Sequence, residues 1–557
     1  MFISTTIFIV VLASHLHLAL SYKWDVIVYD STPSGITAAI SAARLGKKVA
    51  LLSPTHHLGG MCSGGLGQSD VGGIPYQIIG GLAREFFLRN AEHYIPTEHH
   101  PNAPWTLEPH VAEQVFRTML EESHVHVIES SGHVIETTFD SQGFLTSLTT
   151  QWNEYHGKLF IDASYEGDLL AKANISTTIG RESNMTYGER YAGNLAKNDF
   201  HEFKSPVNTY DNATGTHLPY LLTSDHPGEV GDADRKIQAY NFRLCVTKDP
   251  GNQVPFERPT QYDESRWELF RRYIRSLADP VHELLVPSRL TTPLPNGKFD
   301  CNNAGPISTD FVGGSWSYPE ATYTEREKIW ENHKQYMLEL FWFLRHDESV
   351  PAATRQNMKQ WGLCADEFQA TNHWPPQLYV REARRMVGDR VFTQVDIEQQ
   401  DNDIGIESIG LGSYSYDSHT AQRFPCSNCS FLNTTSPESY AWNEGDLERS
   451  PGPYQIPAWV VYPKKEQAKN VLSSVCISAS HVAFNTLRME PQFMIIGQAA
   501  GIIAALAEPG RPVQDTDLCQ LRKHLIETKQ LVNRVNSSQF SHWSLDSMCP
   551  TLSPDAG

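Results

Sequence analysis

Positive charge is scarce in this chain of 557 residues: 45 Lys and Arg stand against 64 Asp and Glu, a formal charge of −19. A nucleic-acid backbone or an anionic membrane surface calls for a basic face, so neither is expected as a partner. An anionic small molecule stays possible, because a few arginines in a pocket can act against the global sign. Cysteine is thin as well. Nine are spread from Cys62 to Cys549, too sparse for a disulfide scaffold, and the odd count leaves at least one without a partner in the chain. Cys426-Ser-Asn-Cys429 lacks a second Cys-x-x-Cys and reads as a loop staple rather than a redox pair. His56-His57 and His99-His100 are adjacent pairs without metal-ligand spacing, so no metal is expected. Beyond residue 21 no apolar run is long enough to cross a bilayer. Repeats, low-complexity runs and a second dinucleotide motif are also missing.

What is present begins with an apolar stretch, Ile7 to Leu20, followed by a cut expected before Tyr22. Ala19 and Ser21 are the small residues at −3 and −1. Residues 1–21 therefore read as a signal peptide, with a retained anchor as the alternative. Six Asn-x-Ser/Thr sequons agree with export and N-glycosylation, at Asn174, Asn184, Asn212, Asn428, Asn433 and Asn536. The expected location is secreted, or the lumen of the secretory pathway.

From Trp24 the pattern changes. Trp24 to Tyr29 is the apolar run of a buried parallel strand. Asp30-Ser31-Thr32-Pro33-Ser34-Gly35 is a turn, Ile36 to Leu45 has helical spacing with a stop at Gly46, and Lys47 to Leu52 is a second strand. This is a βαβ nucleotide-binding unit, with a pyrophosphate expected at the helix N-terminus. Its phosphate fingerprint is eroded. Of G-x-G-x-x-G only Gly35 remains, Asp30 and Thr32 hold the other positions, and Ser53 stands where a ribose-binding acid belongs. A carboxylate at Asp30 would oppose a pyrophosphate unless it pointed away. Directly after the second strand comes Leu58-Gly59-Gly60-Met61-Cys62-Ser63-Gly64-Gly65-Leu66-Gly67, where glycines let backbone approach a flat ring system and a diphosphate.

These two stretches, Thr32 to Ala39 and His57 to Gly67, resemble the FAD-dependent oxidoreductase family, many members of which carry the label "xanthan lyase". Later stretches extend the likeness in order over about residues 24–510. They include Phe160 to Leu170, Gln238 to Leu244, Leu294 to Asp300, Trp374 to Gly388, Ser413 to His419, Ser478 to His481, and Arg488 to Ala500. The resemblance implies an α/β fold: a Rossmann-type, glutathione-reductase-like FAD domain split by a large mixed α+β substrate or cap domain. The expected divisions are 22–184 and 454–510 for FAD, 185–453 for the insertion, and 511–557 for a C-terminal helix and tail. Residues 424–453 read as an irregular exposed loop.

The resemblance also implies the cofactor contacts. Thr32, Pro33, Ser34 and Gly35 would lie under the pyrophosphate, with Ser53 near the ribose and Val134 as a further cofactor contact. Gly59, Gly60, Met61 and Cys62 would lie beside phosphates and flavin. Ala163, Ser164, Gly167 and Asp168 would return to the cofactor after Asp162. Glu490 and the Gly497-Gln498-Ala499 helix start would face the flavin. His56 or His57 could carry a covalent link, and Cys62 an adduct.

For chemistry, Arg381, Arg384 and Arg385 at i, i+3 and i+4 are expected on one helix face, as a carboxylate clamp or a salt-bridged surface. His419 and His481 are the candidate proton carriers, with Arg488 beside the latter; Arg243 and Asp310 are further candidates. The reading is a secreted FAD-dependent oxidoreductase, an oxidase moving a hydride from a small organic substrate to flavin N5 with O2 as acceptor. The alternatives are a non-catalytic binding protein of the same fold and a carbohydrate-active lyase.

Overall fold

The computed structural model describes residues 23–69, 78–94, 105–196, 199, 201–211, 213–218, 222–223, 228–284, 291–399, 404–426 and 439–533. The signal peptide, the sequons at Asn212, Asn428, Asn433 and Asn536, and Cys429 and Cys549 lie outside these residues. Of the two sequons inside, Asn174 is exposed and Asn184 half-buried.

The βαβ unit forms where its apolar pattern put it. Strand β1 (Trp24–Tyr29) leads to helix α1 (Pro33–Arg44) and strand β2 (Val49–Leu52). Helix α1 starts because Pro33 presets φ at its first position and the Thr32 hydroxyl caps the Gly35 N–H. It stops at Gly46, whose φ of 80° suits glycine. After β2 come the single-turn helix α2 (Gly60–Ser63), α3 (Gly81–Glu92), α4 (Pro109–Glu122) and β3 (His126–Ile128). A hairpin, β4 (Val134–Phe139) and β5 (Leu145–Thr150), then feeds the long strand β6 (Glu154–Asp162) and α5 (Asp168–Lys172).

Strands β3, β2, β1 and β6 are parallel and adjacent in that order, and β5 and β4 continue the sheet antiparallel from the start of β6. The chain runs outward from β1 through β2 to β3, then returns to place β6 on the other flank of β1. The order therefore reverses between β1 and β6, a topological switch point of a Rossmann-like sheet.

A second sheet is antiparallel, built from β7 (Leu244–Thr247), β8 (Gln253–Pro255), β9 (Thr291–Pro293), β10 (Lys298–Cys301) and β11 (Gly362–Cys364), in the order β8-β11-β7-β10-β9. Between β10 and β11 runs the longest helix, α6 (Tyr323–His346), opened by a Thr322–Glu325 capping box. Of the stretch 424–453 expected as an irregular loop, residues 427–438 lie outside the described ones and the described parts carry strands. Residues 422–426 pair with 440–444, and 416–418 with 447–449, because Gln422 to Phe424 and Ala441 to Glu444 carry the apolar and buried polar side chains of a sheet.

The chain closes on the first sheet with β12 (Val471–Ser473), parallel to β6, then α7 (His481–Leu487), α8 (Glu490–Leu506) and α9 (Leu518–Glu527). Helix α8 is buried from Glu490 to Ala505, apolar on all sides as a central core helix must be. Among the described residues no single helix is long and apolar enough to cross a membrane.

Candidate functional site

A cavity of about 1040 Å³ lies outside the carboxyl ends of the parallel strands. Tyr29, Asp30 and Ser31 reach it from the end of β1, Pro54 to His57 from β2, and Glu129 and His133 from the segment after β3. Tyr165, Glu166 and Asp168 reach it from the turn after β6. Crevices at this position of an open α/β sheet hold ligands, and the volume is at the upper end for small-molecule sites.

The eroded turn is built to hold itself. Asp30 has φ of 80°, the left-handed conformation for which a glycine would be the ordinary choice. Its Oδ1 accepts the Ser31 N–H at 2.7 Å. Burial, with Glu166 next in weight, pushes the Asp30 carboxyl far above the usual carboxylate range. Burial and Glu166 thus favour the uncharged form of Asp30, which eases the charge conflict read from the sequence. Ser53 does not reach the cavity. Its hydroxyl sits 2.7 Å from that of Ser31, and both donate to the His57 carbonyl at 3.1 Å, stitching the ends of β1 and β2 together.

Thr32 and Ser34 also serve the scaffold: their hydroxyls donate to the carbonyls of Ala163 at 2.7 Å and Ser474 at 3.0 Å. A Cβ at Gly35 would run into the Asp30 carbonyl and the Ala163 methyl, so Gly35 and Ala163 make the closest pass between α1 and β6. Asp162 orders the turn after β6 through bonds from the Ser164 N–H and hydroxyl and from the Leu170 N–H. Val134 takes part through its backbone, which donates to the Tyr29 hydroxyl at 3.1 Å and accepts from Tyr323 at 2.8 Å.

The glycine loop supplies one cavity wall at Gly60 and Ser63, with the His57 ring 3.0 Å from the Gly60 carbonyl. Gly59 and Gly60 have φ of 101° and 48°, and a side chain on Gly60 would strike the Tyr165 hydroxyl. That hydroxyl accepts the Met61 N–H at 3.0 Å and donates to Glu490 Oε1 at 2.7 Å. Glu490 opens α8 in full burial, which pushes its carboxyl up to about 8. Cys62 is buried, and burial together with Glu490 pushes its thiol well up, so it is not a ready thiolate.

Helix α6 covers the cavity. Arg326, Trp330 and Lys334, at i, i+4 and i+8, present one face to it. Arg326 bonds Asp168 through two nitrogens, at 2.7 and 3.0 Å, and Arg384 adds a third bond at 3.0 Å. Burial works against the charge, but these two guanidiniums hold the Asp168 carboxyl below its usual range. Tyr318 donates to Glu166 and accepts from the Trp330 indole, each at 2.9 Å. The His133 ring stacks on Tyr323 with centroids 4.0 Å apart. These covering residues escaped the sequence reading, although the Thr322–Glu325 box followed by charged and aromatic residues at helical spacing was a usable signal.

The candidate catalysts lie elsewhere. Residues 375–384 are not helical, so the three arginines do not share a face. Buried carboxylates on separate segments draw each arginine in a different direction. Arg381 pairs with Asp310 at 3.0 Å, Arg384 with Asp168, and Arg385 with Glu182 at 2.5 Å and with Glu382. His419 Nδ1 lies 2.7 Å from Asp310, and Arg488 pairs with Asp417 at 2.9 Å. This Asp310–His419–Arg381 group and its Asp417–Arg488 neighbour form one buried ionic cluster. His481 has both ring nitrogens engaged, with Glu382 at 2.8 Å and Asn485 at 3.2 Å. None of these candidates lines the cavity. Arg243 is bound to Asp300.

The late helix is also corrected. It starts at Glu490 and not at Gly497, because Met489 is extended and Pro491 sits in the first turn. Gly497 is mid-helix, where a Cβ would collide with the Ser34 carbonyl, and Gly501 meets Ala38 in the same way. Ala499 is fully buried, and Gln498 bonds the Leu82 N–H at 2.7 Å and the Thr528 hydroxyl at 2.9 Å. Gly167 (φ 69°) sits against Cys476.

No sequence among curated proteins matches the chain. Solved structures match in part. THI4 of Thermovibrio ammonificans is 18% identical, over 28% of this chain and 66% of that one, with a TM-score of 0.21. The thioredoxin reductase of Lactococcus lactis is 20% identical, over 26% and 35%, at 0.17. L-proline dehydrogenase from P. horikoshii is 15% identical, over 29% and 59%, at 0.22. The chain thus spans from about a third to about two thirds of these structures. The model of the family described as FAD dependent oxidoreductase matches residues 25–525, nearly the whole described chain, and the protein belongs to that family.

Proposed function

We propose that this FAD-dependent oxidoreductase is an exported oxidase that takes a hydride from a small organic substrate and passes the electrons to O2. The observation that carries the reading is the cavity at the carboxyl edge of β1, β2, β3 and β6. The residues there fit FAD. At the first turn the Asp30 carboxyl is pushed toward its uncharged form, the lack of a side chain at Gly60 lets the glycine loop pack against Tyr165 in the cavity wall, and tyrosines and tryptophans provide flat apolar walls. In this reading the Asp30–Ser31 turn, Pro54 to His57 and Glu129 hold the nucleotide end, and Gly60, Ser63 and Tyr165 hold the end toward the flavin.

Bound there, FAD supplies the two-electron acceptor for the reaction. The chain's own residues bind and enclose it. Arg326 and Arg384 neutralise Asp168 so that its charge does not face the diphosphate. Helix α6 and the 366–377 segment exclude water. Glu490, kept protonated by burial, accepts the Tyr165 hydroxyl at Oε1 and so holds its own proton at Oε2. The choice of O2 rests on export, since reduced nicotinamide is scarce outside cells.

An absorption spectrum of the purified protein is the test. Paired near-ultraviolet and blue flavin bands are expected, with peroxide formed on turnover in air. Their absence from correctly folded protein rejects the cofactor site. Fast reduction of an artificial quinone without peroxide rejects the oxidase.

A further inference from the structure

We infer that Cys245 and Cys364 form a disulfide that clamps one wall of the cofactor cavity. The two cysteines stand on neighbouring antiparallel strands of the second sheet. The register Val246↔Leu363 and Thr247↔Gly362 places Cys245 opposite Cys364 when extended by one residue, so both side chains leave the same face of the pair. Their sulfurs are 2.7 Å apart, inside the non-bonded contact of two sulfur atoms. Both are fully buried and are enclosed by Leu294 and Phe368. Among the described residues, the hydrogen-bonding contact of each thiol is the other sulfur. Cys301, on β10, bonds the Asn302 carbonyl instead.

The consequence lies two residues on. Asp366 to Thr371 and Trp374 to Gln377 line the cavity, and the connecting chain holds three non-glycine residues in left-handed conformation: Phe368, Asn372 and His373, with φ of 52°, 55° and 63°. Such conformations persist only where neighbours over-determine them. Lys298 does part of this, reaching Asp366 at 2.6 Å and Glu367 at 2.7 Å from β10. A bond from Cys364 to β7 fixes the start of the same segment to the strand that follows Phe242, another lining residue. The disulfide would close a loop of about 120 residues, the kind of long closure from which a cross-link draws most.

Formation is thiol–disulfide exchange. One cysteine thiolate attacks the sulfur of an oxidised donor of the thiol–disulfide oxidoreductase class, giving a mixed disulfide and releasing one donor thiol. The second cysteine thiolate then displaces the other donor sulfur. One S–S bond forms as one breaks, the two cysteines give up two protons, and the donor leaves as its dithiol. The inference rests on the export reading, because such a donor belongs to an oxidising compartment.

The experiment is a peptide map of the full protein expressed through a eukaryotic secretory pathway, alkylated under denaturing conditions without reductant. A Cys245–Cys364 linked peptide, two hydrogens lighter than the sum of its parts and resolved into both parts by reductant, is expected. Free, alkylated Cys245 and Cys364 overturn the disulfide. Leader cleavage before Tyr22 and glycan at Asn174, read from the same map, tell whether the export reading fails with it. On the linked protein, mild reduction should raise the rate of FAD loss on dilution several-fold and open the 366–377 segment to protease. An unchanged release rate and cleavage pattern would overturn the clamp.

Discussion

The Tyr165 hydroxyl donates a 2.7 Å hydrogen bond to Glu490 Oε1 while it accepts the Met61 N–H, so one phenol ties the glycine loop to the first residue of α8. Glu490 is fully buried, and burial sets its carboxyl at about 8. An unfolded glutamate ionises near pH 4.3. Between about pH 4.5 and 8 the unfolded chain has lost this proton and the folded chain has kept it, so stability falls as pH rises through that window. Glu490→Gln keeps the acceptor and removes the titration. Its Tm should fall less than that of the wild type between pH 5 and pH 8, by a margin of a few kcal/mol in stability at the upper end. Parallel Tm profiles across that range would show that Glu490 does not carry the proton.

Asp30 carries a related cost at the cavity itself. Its acid form is retained while the unfolded residue ionises near 3.9, so it too withdraws stability as pH rises above about 4. Asp30→Gly removes the buried acid and the left-handed strain at φ 80°, a change expected to stabilise by about 1 kcal/mol or more. It also restores the first position of the phosphate fingerprint. FAD affinity, followed by flavin fluorescence quenching, should rise in the variant and become less sensitive to alkaline pH than in the wild type. An affinity unchanged at all pH values would place the diphosphate away from this turn.

The first βαβ unit was legible from Trp24 onward, because apolar runs, Pro33 and Gly46 fix strand and helix limits locally, whereas the switch point rests on the pairing of β1 with the distant β6. The site was legible only in outline. Gly497 looked like a cofactor residue because a glycine in a late helix and a glycine at a flavin share one letter. Which of the two applies depends on whether Ser34 or a ligand lies opposite, and that is a tertiary fact. The arginine trio failed for a similar reason. Three arginines at helical spacing predict one face only if the backbone is helical, and buried Asp310, Asp168 and Glu182, all distant in sequence, each claimed one. Arg326, Trp330 and Lys334 could have been read as one helix face from their spacing, but what that face meets is a tertiary fact.

The helix contact at Gly497 and Gly501 separates those readings by experiment. A methyl at either position meets the backbone carbonyl of α1, at Ser34 or Ala38, which cannot rotate away. Gly501→Ala should destabilise by about 1–3 kcal/mol through overpacking, despite alanine's better helix propensity. Gly497→Ala should do the same. Both should leave the flavin absorption maxima of folded protein in place. A shifted spectrum with undiminished stability would put Gly497 beside the flavin after all.

Lys298 tests how the far wall of the cavity is held. Its ammonium is buried among three carboxylates, with Glu108 at 2.6 Å, Asp366 at 2.6 Å and Glu367 at 2.7 Å. Burial alone would lower its pKa, but the three bonds raise it well above the ordinary lysine range. Glu108, Glu367 and His110 also bring their ligand atoms close together as a metal site would, yet Lys298 already bonds both carboxylates, so no divalent ion is called for. Lys298→Met keeps the volume and leaves buried Glu108 without a cation and Glu367 with the half-exposed His110 at 2.7 Å, which should destabilise by about 3 kcal/mol at pH 7. The added Glu367→Gln change should recover part of the stability, since one buried charge is then gone. A Lys298→Met variant with unaltered Tm at pH 7, or one that Glu367→Gln does not rescue but zinc does, would show that the ammonium is not what holds this wall.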